Sequence, residues 1–241
     1  MELENIFKME MFKNRNDMPY LTVIAILTVM AAVASILGLS MINNSFESPM
    51  LLVIEILLVV FTIIGVLVFS LLYPFHLLNV DYKNRVISLI FASGVSREKF
   101  YFVKISATLL SCLIATFVIL FIPIVTFLVF NQGIFVDFIR NMIDNFESSD
   151  IYLFTVSGTL GLVANIVILT TSVIITKGKT SGIFLFFAFL FIVSTIQTSI
   201  AYPLITSTEV TTSLYADIAY SLIKIAFFVL IGLHVLKRQD L

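Results

Sequence analysis

Glu55 and Lys224 each stand inside a long apolar run of this sequence, and a charge in such a place is costly enough to need a reason. A carboxylate and an ammonium can neutralise one another, relay protons, or reach separately along their stems to a polar interface. Glu55 lies near the start of its run and Lys224 about ten residues into its own, so at roughly 1.5 Å per helical residue the two fall at overlapping depths. An ion pair between them is one expectation; independent snorkelling is the other. A second polar set, Ser194, Thr195, Gln197, Thr198 and Ser199, follows a run rich in phenylalanine. At that depth Ser194, Gln197 and Thr198 would either line a cavity or bond between helices.

Catalytic signatures are not found. The sequence has no HExxH, GxSG or GxGD motif and no paired glutamates of the intramembrane prenyl-protease kind, which disfavours a membrane hydrolase. No residue is expected to hold a metal or cofactor. His76 and His234 lie near run ends without other ligand types beside them, and Cys112 is alone in an apolar stretch. Gly178-Lys179-Thr180 ends like the phosphate-binding loop GxxxxGK[ST], but the first glycine would fall at Val173 with no strand before it. A tight turn is the expectation there, and any ATP hydrolysis is expected on another subunit.

Composition sets the class. Hydrophobic residues make up 60% and charged residues 12%, and the mean hydropathy is +1.11, far from the range of water-soluble domains. The net charge of −1 speaks against a nucleic-acid binder, which needs a basic surface to neutralise phosphates. Six apolar runs approach or exceed the roughly 20 residues that cross a bilayer: about Pro19 to Ile42, Met50 to His76, Phe100 to Phe130, Ile151 to Ile175, Gly182 to Pro203 and Leu214 to Leu236. The third would reach about 46 Å as a helix, so its start should project from the membrane or Pro123 should kink it. The expected architecture is an all-α polytopic membrane protein, residues 1–241 forming one transmembrane domain.

Lysine and arginine concentrate on the cytoplasmic side of membrane proteins. Lys8, Lys13, Arg15, Lys83, Arg85, Arg97, Lys99, Lys104, Lys177, Lys179, Lys237 and Arg238 all fall on one side, against Arg140 alone on the other. Both termini are therefore expected in the cytoplasm. Residues 1–17 carry too many acidic residues, and lead into too long a run, for a cleavable signal; Leu3, Ile6, Phe7 and Met11 instead suggest an interfacial elbow helix. On the outer side, Ile134, Phe135, Phe138, Ile139, Met142, Ile143 and Phe146 repeat at helical spacing, as in an interfacial helix that seals the bundle or flanks an exit. Ser157, Gly158, Gly161 and Ala164 form a small-residue face suited to close helix packing.

The segment Asp81 to Lys104 breaks the apolar pattern. Val86, Leu89 and Ile90 have helical spacing, Gly94 suits a helix end with positive φ, Ser96 can cap the next helix, and Glu98 sits in its first turn. The stretch Ala92 to Lys104, ASGVSREKFYFVK, resembles the segment between the second and third membrane helices of bacterial type-2 ABC exporter permeases. The resemblance implies a coupling helix around Tyr82 to Ser93 within the segment 81–99. Arg85, Leu89, Ile90 and Phe91 would dock on an ATPase, and Gly94, Ser96 and Arg97 would hold the turn behind them. It also implies a multi-pass protein of the bacterial plasma membrane, paired with a second permease chain and two cytoplasmic ATPase subunits that carry ATP and Mg. Amphipathic or antimicrobial peptides are the implied substrates, exported or repelled in self-protection. Exporters of lipids, drugs or polysaccharide intermediates share this scaffold. An ion-coupled carrier using Glu55 and Lys224, and a membrane sensor or scaffold, are the rivals from other classes. One departure stands out: many relatives place re-entrant helices between the fifth and sixth spans, whereas the loop Ile205 to Ser213 is short.

Overall fold

The structure is a computed structural model that describes residues 3–43, 49–130, 149–201 and 210–239, together with positions 133, 136, 137, 140, 141 and 144. Among these residues there is no strand. The helices are α1 (Leu3–Arg15), α2 (Met18–Asn43), α3 (Pro49–Lys83), α4 (Val86–Ala92), α5 (Arg97–Phe130), α6 (Ser149–Ile175), α7 (Ser181–Ile196) and α8 (Val210–Arg238). Six of them, α2, α3, α5, α6, α7 and α8, are long and apolar enough to cross a membrane. Helix is the dictated form, because in hydrocarbon every backbone N–H and C=O must find its partner within the segment. Hydroxyls obey the same rule: Thr22, Thr126 and Thr170 each donate to the carbonyl four residues back.

The α5 helix is the long third run, and it takes in Pro123 without ending there. The second run continues past His76 to Lys83 because Leu77 and Leu78 are buried and keep the helix packed beyond the apolar core. The fifth ends sooner than expected: α7 stops at Ile196 and a π-helical turn, Gln197–Ala201, follows. Pro203 and most of the loop before α8 lie outside the described residues, as do all the apolar positions of the outer amphipathic segment. Its polar face is described, and Asp137, Arg140, Asn141 and Asp144 are helical and exposed.

The chain divides into two compact units, residues 1–10 with 74–109 and 145–241, and residues 11–73 with 110–144. In the first unit α6 is the interior helix: 56% of its most apolar stretch is buried, against 11% for α7 and 17% for α8. It packs chiefly along α8, where Thr171 donates to the Phe228 carbonyl and shares a hydrogen bond with the Tyr101 hydroxyl. Gly232 permits that approach, since a Cβ there would stand 2.7 Å from the Tyr101 hydroxyl. The end of α6 is the tight turn expected at Gly178-Lys179-Thr180. Lys177 and Gly178 have φ of 51° and 72°, and a Cβ on Gly178 would meet Tyr82 at 2.5 Å.

In the second unit a polar knot joins α1, α2, α3 and α5. The Asn14 amide donates to the Ser111 hydroxyl, Tyr20 donates to the Ser111 carbonyl, and Tyr73 donates to the Asn14 carbonyl. Tyr20, Phe69 and Tyr73 stack around it. The expected packing face of α6 divides: Ala164 is fully buried, while Gly158 and Gly161 have nothing within 4 Å of where a Cβ would stand. Two of its glycines therefore serve no close contact within the described part of the chain.

Candidate functional site

Between α3 and α5 the chain makes two sharp turns that set α4 apart as a seven-residue helix. Arg85 enters it with φ of 55°, a left-handed conformation uncommon for a residue with a side chain. Gly94 leaves it with φ of 85°, and the Ser96 hydroxyl accepts from the Lys99 N–H, the cap that Ser96 was expected to supply. Two sides of α4 differ sharply. Ile87 and Ile90 are buried, whereas Leu89 is 68% exposed and Arg85 is also open. Ile90, expected with Leu89 among the docking residues, thus packs inward, away from the exposed side of the helix. Phe91 is half-buried; it packs edge-on against Phe100 and lies beneath the Arg97 guanidinium.

Arg97 has a second task. Its guanidinium donates to the Leu236 and Lys237 carbonyls at 2.7 Å each, neutralising the carbonyl end of α8. Beside it Glu98 and Lys237 form an exposed ion pair. The turn behind α4 is therefore fastened to the last turn of α8 by charge as well as by packing.

Below the turn lies a cluster that the sequence reading missed. The Lys104 ammonium donates to Glu10 at 2.7 Å and to Asp81 at 2.5 Å, and all three side chains are at most 1% exposed. The sequence counts Lys104 among the open basic residues of one membrane side; the structure buries it between two carboxylates drawn from α1 and α3. One signal for this was present, a lysine between Val103 and Ile105 in an otherwise apolar stretch, which calls for an acidic partner. The second oxygen of Glu10 is buried without a hydrogen-bond partner.

Glu55 and Lys224 belong to different units. The Lys224 ammonium sits 4.9 Å from the centre of the Tyr220 ring, one face of a polar set on α8. In that set Tyr220 donates to the Val193 carbonyl and Gln197 donates to Asp217. Gln197 is thus spent on a contact between the π-helical turn and α8. Ser194 and Thr198 donate to carbonyls of their own helical stretch, so of the three only Gln197 makes a bond between helices.

A cavity is found elsewhere, wholly in the second unit. It has a volume of about 430 Å³, and α2, α3 and α5 form its wall with Glu55 as the acidic residue among them. Comparison of the chain with family models, with curated proteins and with solved structures gives no match.

Proposed function

We propose that this chain is the membrane-spanning permease subunit of an ATP-driven exporter, energised by two copies of a separate cytoplasmic ABC ATPase. One observation carries the reading. A short helix, α4, stands between two membrane-spanning helices, offers Leu89 and Arg85 outward, and is held from behind by Ile87, Ile90 and the Phe91–Arg97 contact. Such a helix transmits a push without absorbing it: its exposed side takes the partner, and its rigid attachments carry the displacement into α5 and α8. Lys83, Arg85, Lys99, Lys177, Lys179 and Arg238 support placing this side and both termini in the cytoplasm of a bacterial cell. Pairing with a second permease chain and transport of amphipathic or antimicrobial peptides belong to the same proposal, resting on the resemblance of residues 92–104.

The test is co-purification, in mild detergent, of this chain with an ATPase encoded beside it. Leu89→Asp should abolish the association while the permease still elutes as a single species, because Leu89 makes no buried contact. Ile90→Asp is unsuitable, since it would place a charge in the interior. An association indifferent to Leu89→Asp, or no ATPase partner at all, would overturn the reading and favour an ion-driven carrier.

A further inference from the structure

The cavity of the second unit falls within the roughly 300–1,000 Å³ typical of small-molecule sites. Most of its wall is hydrocarbon: Ala31 and Ala34 from α2, Val59 and Ile63 from α3, Ile119 and Leu120 from α5. Three hydroxyls also line it, and all three are already committed. Ser35 donates to the Ala31 carbonyl, Thr62 to the Leu58 carbonyl and Thr116 to the Cys112 carbonyl, each within its own helix. Among the described residues the Glu55 carboxylate has neither a hydrogen bond nor an ion pair. Gly38 lets it lie close against α2, for a Cβ there would come within 2.6 Å of Oε1.

An apolar wall with one unanswered carboxylate selects its guest by charge. A neutral hydrocarbon would leave the carboxylate desolvated and unpaired, and an anion would be repelled. The described lining residues include no aromatic ring, so among them a cation finds its charge partner in Glu55. We infer that this cavity binds a lipophilic organic monocation, with its charge on the Glu55 carboxylate and its apolar groups against α2, α3 and α5. The site stands independently of any ATPase partner, since every lining residue belongs to the second unit of this chain.

The experiment uses the full chain in phosphatidylcholine nanodiscs and radiolabelled tetraphenylphosphonium in equilibrium dialysis, with empty nanodiscs as the blank. Saturable binding at one site per chain is expected, with no displacement by the isosteric anion tetraphenylborate. Glu55→Gln should weaken it about tenfold or more, in keeping with the loss of one charge-assisted contact. Thr62→Phe, which fills the cavity and leaves the carboxylate in place, should abolish it. Equal displacement by the anion would overturn the inference and make the cavity a slot for acyl chains; so would unchanged binding in Glu55→Gln or in Thr62→Phe. Should Glu55→Gln fail to fold, the charge-sign comparison on the unaltered chain and Thr62→Phe still decide the matter.

Discussion

Two acidic settings, one in each unit, solve the same problem in opposite ways. Glu10 and Asp81 are brought out of water together with Lys104, so each carboxylate has an ammonium in direct contact. Glu55 is half-buried in an apolar wall and has no partner among the described residues. In the first setting the opposite charges answer one another and fix α1 and α3 to α5. The second is incomplete, and an incomplete polar site in an apolar cavity is where a guest can contribute what the chain withholds. Charge within such a protein is therefore read by its satisfaction rather than by its presence.

The contrast breaks most readily at Lys104. Lys104→Met would leave two carboxylates buried side by side, and the expected loss is about 3–5 kcal/mol of folding stability. Unfolding titrated with SDS in mixed micelles reads this. Replacing all three residues by apolar ones, Glu10→Met, Asp81→Leu and Lys104→Met together, should recover most of the loss, because no buried charge is then left unanswered. A triple variant no more stable than Lys104→Met would show that the cluster does something other than balance its own charge.

The two carboxylates should also separate. Asp81 is engaged beyond its contact with Lys104, whereas the second oxygen of Glu10 is buried without a partner. Asp81→Asn is expected to cost about 3 kcal/mol and Glu10→Gln about 1.5 kcal/mol, the two ends of the range for removing hydrogen bonds to charged groups. The same titration checks the order. Equal losses would mean that the unsatisfied oxygen is irrelevant and that the ammonium holds both carboxylates alike.

The six long helices were legible because hydrocarbon permits little else: length and apolar composition decide them. The turn at Gly94 and the cap at Ser96 were legible too, each being a local preference of one residue type for one backbone setting. What lay beyond reach were features assembled from distant parts of the chain. Lys104 meets Asp81 across 23 positions and Glu10 across 94, and no periodicity spans such separations. The helical spacing of α4 likewise groups Leu89 with Ile90, but which flank turns inward depends on what packs behind it, and Ile90 proved to be the buried one. For Glu55 the sequence offered its depth and its charge. The wall around it comes from α2 and α5, and the small α2 residues Ala31, Ala34 and Gly38 look like ordinary helix-packing positions until α3 is set beside them.

The smallest expected effect is the most discriminating. Glu55→Gln should change folding stability by no more than about 0.5 kcal/mol, the usual range for a residue outside any buried network. The reason is that the carboxylate gives up nothing on becoming an amide: it loses no ion pair or hydrogen bond to the described residues, and its partly exposed position spares the amide a full desolvation cost. Measured beside Lys104→Met in the same micelles, it sets a nearly silent substitution against a severe one, although both remove a charge from the apolar part of the chain. A loss above about 2 kcal/mol would place Glu55 in the class of residues whose partner has been taken away. The two settings would then be alike, and the cavity would lose the open valence that makes it a binding site.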